Sequence, residues 1–299
     1  MEMKNLSSKK LISSMVSVII PTYNRSDKLI KCLDSIFKST YKNIEVIVIN
    51  DYLKIDLKPL LKEFKIRLIQ PKREIYVVES RNLGAKIAKG KILFFVDDDN
   101  ILDKNAMENL VSKYLSIKNA GLIGPLMYSS SGNLWFCGGK ATWINPNITL
   151  VPETELKKEL IETDAIPNAY MTSKKLYLKI GGEDPNFPTH EELDLAQRIK
   201  FAGYKNYIYT KAVTIHDIGK VKINLMDRPP YRMYITVKCN FLIEKKYAPK
   251  FKFLLFLFGF MPLHMSLYLL YYIPFKAKNK REYYKAYLRG LRDGISRII

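Results

Sequence analysis

Cysteine is scarce: Cys32, Cys137 and Cys239 are the only three, far apart and in no CxxC or Cys/His spacing. That excludes a disulfide scaffold and a zinc ribbon, and it suits a reducing compartment. The first twenty residues carry lysines but no long apolar run ending at a small-residue cleavage site. They read as a polar lead-in to a strand and not as a signal peptide. Helix-turn-helix, zinc-finger and RNP patterns are missing and the lysines are scattered, which argues against a nucleic-acid partner despite a formal net charge of +20. Internal repeats and low-complexity linkers are missing too. Gly84 to Gly90-Lys91 has one residue too many for a phosphate loop and no Ser or Thr after the lysine. His190-Glu191-Glu192-Leu193-Asp194 lacks the second histidine of a zinc-protease helix. With 49 basic against 29 acidic residues, the remaining partners for the charge are an anionic lipid surface or a phosphorylated substrate.

What is present is ordinary globular material: 299 residues, 47% hydrophobic, enough for one large or two small domains. Val16 to Ile20 is a β-branched run ended by Pro21, and Ile44 to Ile49, Ile66 to Ile69 and Ile92 to Val96 repeat the pattern. Between them, Ser26 is placed to cap a helix with Leu29, Ile30, Leu33, Ile36 and Phe37 on one face. A helix is expected near 56–65, and another over 77–88 with Gly90 as its C-cap. Alternating elements with near-continuous apolar strands predict a mainly parallel sheet covered on both faces, whose ligands bind beyond the strands' carboxyl ends. Three such ends carry Pro21-Thr22-Tyr23-Asn24, Asn50-Asp51 and Asp97-Asp98-Asp99. Adjacent carboxylates repel unless water or a cation compensates, so the acidic run reads either as a solvated turn or as an oxygen site for Mg²⁺ or Mn²⁺.

After residue 120 the pattern loosens into short strands and loops, followed by a helix beginning near Thr189 and a strand at Ala212 to Ile215. The character changes near 220. Tyr231 to Lys246 is helical and basic, Phe253 to Phe275 has no charged residue, and Lys276 to Ile299 is basic and amphipathic.

Val16 to Arg25, Ser80-Arg81-Asn82-Leu83-Gly84 and Phe95 to Asn100 together resemble the inverting family 2 glycosyltransferases of the GT-A fold. Gly181-Gly182-Glu183-Asp184-Pro185-Asn186-Phe187 is similar to that family's GGFDExF segment, and His190 to Arg198 with Gly203-Tyr204 to its EDxDLxxRxxxxGY helix. The resemblance implies a GT-A, Rossmann-like α/β domain over 1–220, with a nucleotide-sugar half at about 16–120 and an acceptor half at about 121–220. The remainder, 221–299, is expected to be a helical, membrane-associating region.

By the same resemblance Pro21, Thr22, Tyr23, Arg25, Asp51, Arg81, Asp97 and Asp98 would bind a nucleotide-sugar, a UDP-sugar first. Asp99 and His216 would hold Mn²⁺ or Mg²⁺, at the chain's version of the DXD motif. A carboxylate suits a pyrimidine N–H and an aromatic suits the base, although Tyr23 could equally be packed and Arg81 paired with a carboxylate such as Glu79. Where most members read Asp-Asp-Gly-Ser, this chain has Asn50-Asp51-Tyr52-Leu53, so the loop lining the base is altered. The catalytic base aligns with Glu192, with Glu191 beside it. Yet Thr189 to Glu192 is also a capping box, in which Glu192 would only reach back to the helix end. Asp194 and Arg198, four apart, are expected to pair.

The expected function is metal-dependent, inverting transfer of a sugar to a lipid-linked or glycan acceptor at the cytoplasmic face of the cell membrane. The QxxRW motif of processive members is missing, which favours single addition. The alternatives are a nucleotidyltransferase with a related sheet, or an inactive membrane-bound sugar- or nucleotide-binding protein. For the C-terminal region the expectation is two short helices, kinked near Pro262 and lying in one leaflet among membrane lipids, because a single span would export a basic tail.

Overall fold

The computed structural model describes residues 14–218 and 229–296; the lead-in before residue 14 and the boundary expected near 220 lie outside them. The first half follows the alternating pattern: β1 (Val16–Thr22), α1 (Ser26–Phe37), β2 (Ile44–Asn50), α2 (Lys58–Leu61), β3 (Arg67–Ile69), α3 (Tyr76–Ile87) and β4 (Ile92–Val96). These strands are parallel, β1 pairing β2 from Val16↔Ile44 to Thr22↔Asn50 and β4 from Val16↔Ile92 to Ile19↔Phe95. Pairing to β4 ends before Pro21, so that residue's missing N–H costs the ladder nothing on that side. The apolar runs are continuous because alternate residues serve two cores. Val16, Val18, Ile20, Phe94 and Val96 pack with Leu29, Leu33 and Ile36 on one face, while Ile19, Leu93 and Phe95 pack with Ala85 and Ala88 on the other.

The second half comprises β5 (Asn100–Leu102), α4 (Ala106–Ser116), β6 (Ala120–Ser129), β7 (Leu134–Phe136), β8 (Leu160–Glu162), β9 (Ala169–Ser173), α5 (Lys174–Lys179), α6 (Glu191–Phe201) and β10 (Lys205–His216). Together the strands make one ten-stranded mixed sheet in the order β8-β10-β6-β9-β4-β1-β2-β3, with β5 on β10 and β7 on β6. β9 runs antiparallel to β4, and β10 parallel to β6.

Here the sequence misleads. The stretch after 120 holds a ten-residue, almost wholly buried strand, β6, and the strand expected at Ala212 to Ile215 begins at Lys205. Gly121, Gly124 and Pro125 disguise β6, and each has a packing reason. A Cβ at Gly121 would lie 2.3 Å from the Ile199 side chain, and one at Gly124 2.8 Å from the Pro167 ring. Pro125 faces Tyr209, immediately before a register shift in β10 that runs to Val213, so the bulge takes up the missing donor.

The chain divides into two compact units, the second made of Ala141–Thr149, Asn186–His190 and the described residues of Lys220–Ile299. In this second unit α7 (Pro230–Tyr247), α8 (Lys250–Lys276) and α9 (Lys280–Ile295) share a core of Val237, Phe241, Phe256, Met261, Ile273, Tyr287 and Leu291. Gly290 and Gly294 let α9 approach α7, for a Cβ would lie 2.8 Å from the Tyr234 carbonyl at the first and 2.7 Å from the Phe241 ring at the second.

The expected break at Pro262 is not found. α8 keeps helical dihedrals at Phe260 (φ −65°, ψ −47°) and at Leu267 (φ −61°, ψ −44°) on either side of it. Two π-helical turns, Phe256–Phe260 and Tyr268–Tyr272, absorb the prolines instead. Each turn is centred on the residue four before a proline, Phe258 for Pro262 and Leu270 for Pro274. That carbonyl is the one the ring would otherwise strike.

Candidate active site

The parallel strands bring their carboxyl ends together, and the side chains there form two connected clusters. In the first, Thr22 Oγ1 at the end of β1 donates to Asp98 Oδ2 at 2.6 Å. Asn24 adopts the left-handed region (φ 53°), which asparagine tolerates, and turns the chain so that Arg25 stands at the N-terminus of α1. Ser26 is therefore the first helical residue and not the cap. The Arg25 guanidinium spans both carboxylates, Nη2 to Asp98 at 2.6 Å and Nη1 to Asp99 at 2.7 Å. Burial lifts the Asp98 carboxyl to about 7 even with Arg25 beside it. At Asp99 burial is outweighed by His216 and Arg25, which hold that carboxyl below its usual range. His216 ends β10 with Nε2 3.4 Å from Asp99 Oδ1, and Trp135 meets its ring edge-on at 5.3 Å.

The second cluster is centred on Arg81. Its guanidinium donates to Asp97 (2.7 Å), Glu183 (2.9 Å) and Glu192 (3.3 Å), and only 1% of the side chain is exposed. The three carboxylates outweigh the cost of burial and hold Arg81 above its normal range. Tyr170 Oη also donates to Glu183, at 2.5 Å, and burial raises the Glu183 carboxyl against the pull of Arg81. Gly182 (φ 73°) makes this possible: a Cβ there would sit 2.2 Å from Asn82 Oδ1, which accepts the Glu183 N–H. Burial, and then the charge of Glu192, push Glu191 well above the carboxylate range. Thr189 Oγ1 has no hydrogen-bond partner, so the expected capping box is not formed and Glu192 turns to Arg81. Asp194 and Arg198 pair as expected, at 2.7 Å.

Asp51 lies at the end of β2, but its two oxygens accept the Ile75 and Tyr76 N–H groups at 2.5 and 2.7 Å and so hold the start of α3. Tyr23 is exposed and packs edge-on with Tyr52, ring centroids 5.0 Å apart, beside the altered loop. Asn168 and Glu183 are site residues that the sequence reading missed. Asn168 donates to Asp97 at 3.1 Å and lies 3.4 Å from His216 Nε2. Its signal was its place: it immediately precedes β9, whose first residue, Ala169, pairs with Val96, so Asn168 must flank Asp97.

The donor set fits a hard divalent cation. Asn100 Oδ1, Asn168 Oδ1 and His216 Nδ1 are buried with no hydrogen-bond partner, and Asp99 Oδ1 meets only His216 Nε2, at 3.4 Å. Among the described residues no three His, Cys, Asp or Glu side chains form a finished cage.

Known proteins resemble this chain in sequence and in fold. The family model for Glycosyl transferase family 2 matches residues 17–177. Glycosyltransferase GlyG of Streptococcus pneumoniae is 29% identical over 133 residues, 42% of this chain and 44% of that protein. The poly(ribitol-phosphate) beta-N-acetylglucosaminyltransferase TarP of Staphylococcus aureus is 34% identical over 115 residues, 36% of this chain and 35% of that one. The chain thus spans less than half the length of either relative. Among solved structures, GalNAc-T7 with UDP, GalNAc and Mn²⁺ superposes with a TM-score of 0.59 at 18% identity, covering 75% of this chain and 48% of that one. The fold is therefore GT-A-like, and with more than half of its length matched by the family model, the chain belongs to glycosyl transferase family 2.

Proposed function

We propose that this glycosyltransferase binds a nucleotide-sugar, a UDP-sugar first, at the ends of β1, β4 and β10 and transfers its sugar with inversion to a lipid-linked or glycan acceptor. The observation that carries this is the group of unpartnered acceptors, Asn100 Oδ1, Asn168 Oδ1 and His216 Nδ1, beside Asp99, Thr22 and Arg25, where the cation of a diphosphate would find its ligands and the diphosphate a guanidinium and a hydroxyl. Asp99 and His216 would hold Mn²⁺ or Mg²⁺, which when bound would neutralise charge developing on the departing diphosphate. Asp98, which accepts from Thr22, would face the ribose. Tyr23 and Tyr52 flank the base. Glu192 takes the proton of the acceptor hydroxyl, oriented by Arg81, which donates to its carboxylate at 3.3 Å.

The same reading has the acceptor at a membrane surface, and the apolar character of α8 supports it. One stripe of this helix packs in the core of the second unit, while Phe251, Phe258, Leu263, Leu270 and Phe275 are exposed, Phe258 by 78%. The same core includes α9, with Lys280, Arg281, Lys285, Arg289 and Arg292, which cannot enter hydrocarbon. A helix fixed to such a neighbour lies in the plane of the cytoplasmic leaflet and does not cross it. Cysteines at positions 250 and 280 should therefore both resist an impermeant thiol reagent outside cells; labelling of 280 alone would mean a span. For the reaction, thermal shift with a panel of nucleotide-sugars is the test. One donor should raise the melting temperature by an amount that depends on Mn²⁺, and a flat panel would refute the site.

A further inference from the structure

The two carboxylates that the resemblance assigns to ribose and metal are already in use. Asp98 and Asp99 are consecutive, both buried, and both held by Arg25 through separate nitrogens at 2.6 and 2.7 Å. One guanidinium thus bridges two carboxylates through a charge-assisted hydrogen bond to each. A divalent cation on Asp99 and this guanidinium would repel each other and compete for the charge of the same two carboxylates. Arg25 is also the movable partner. Its side chain is 42% exposed, whereas Arg81, 1% exposed and tied to three carboxylates, is fixed. It stands at the N-terminus of α1 without capping it, so its departure breaks no helix contact.

We propose that Arg25 is the resident counter-ion of the donor-free site, released from Asp98 and Asp99 when a divalent cation enters and then turned onto the diphosphate of the donor. The proposal rests on the nucleotide-sugar reading above and adds an order to it. Cation and nucleotide bind poorly alone and well together, because the nucleotide supplies the new partner that the displaced guanidinium needs. The enzyme is thereby kept from sequestering metal without substrate.

The test is Mn²⁺ binding to the donor-free protein, followed by the EPR signal of the free ion, with no turnover involved. Arg25→Met should bind Mn²⁺ about tenfold more tightly than the wild type, the scale of one lost charge competition. UDP should tighten Mn²⁺ strongly in the wild type and little in the variant. Arg25→Lys, which keeps the charge but not the fork, should fall between them. Mn²⁺ binding that is unchanged or weaker in Arg25→Met would overturn the proposal alone. Absence of Mn²⁺ and UDP binding in both proteins would overturn the metal reading and the proposal with it. A second readout needs no variant: the Arg25 side-chain ¹⁵N resonance should move on adding Mg²⁺, and an unmoved resonance under bound Mg²⁺ contradicts release.

Discussion

Arg81 and Arg25 both meet the carboxylates that follow β4, yet they are built in opposite ways. Arg81 is sealed, with Asp97, Glu183 and Glu192 around it and Tyr170 behind. Arg25 reaches Asp98 and Asp99 from a side chain that water still touches. Consecutive aspartates thus face two different partners: Asp97 joins the sealed Arg81 knot that ties β4 to α6, and Asp98 and Asp99, themselves buried, meet an arginine that water still reaches. On the function proposed above, the difference separates tasks. A base must be held still toward the acceptor, whereas a donor and its cation must enter and leave each cycle.

Four substitutions can break or sharpen this contrast. The largest effect is expected from Asp99→Ala, which should reduce Mn²⁺-dependent transfer to background while leaving the melting temperature within a degree or two; a large fall in melting temperature would put Asp99 among the structural residues. Next, Glu192→Gln should lower kcat by about 10²–10⁴ with donor binding preserved. Should Glu191→Gln be inactive and Glu192→Gln near normal, the base is one residue earlier. Arg81→Met should act on the fold first, since it strands buried carboxylates, at about 3–5 kcal/mol and a melting temperature lower by about 10 °C. A soluble, equally stable Arg81→Met protein would erase the distinction between the two arginines.

The smallest effect lies in the helical unit. Burial raises the Glu244 carboxyl to about 7, and neither of its oxygens has a hydrogen-bond partner. A carboxyl raised above its unfolded value stabilises fully below about pH 4.5, and that contribution is lost as pH rises through 7, about 3 kcal/mol in all. Glu244→Gln should therefore flatten the fall in stability between pH 5 and 8, as read by thermal melts in detergent. An unchanged slope would mean that another group titrates.

How much of this was legible in the sequence depends on what a residue needs to be recognised. β1, β2 and β4 were legible because local period and composition suffice, and so were the strand ends, since a parallel sheet puts them together. β6 was not, because Gly121, Gly124 and Pro125 read as loop until Ile199, Pro167 and the β10 bulge stand beside them. Among site residues, Asp98 and Asp99 announced themselves by adjacency. Glu183 and Asn168 did not, because their meaning lies in Arg81 and Asp97, which are 102 and 71 residues away. Arg81 itself was read toward the nucleotide, since a sequence gives an arginine's presence and not which of many carboxylates encloses it. The unbroken α8 teaches the same lesson in reverse: prolines predict a break, and only the backbone reveals that a π turn has absorbed each one.

The central claim is that one site at the strand ends binds a nucleotide-sugar and performs a single displacement with Glu192 as base. The most direct measurement is the anomeric configuration of the product made from an α-linked donor, read from its proton coupling constant by NMR. Single displacement predicts a β-linked product. An α-linked product released together with the nucleoside diphosphate would contradict it.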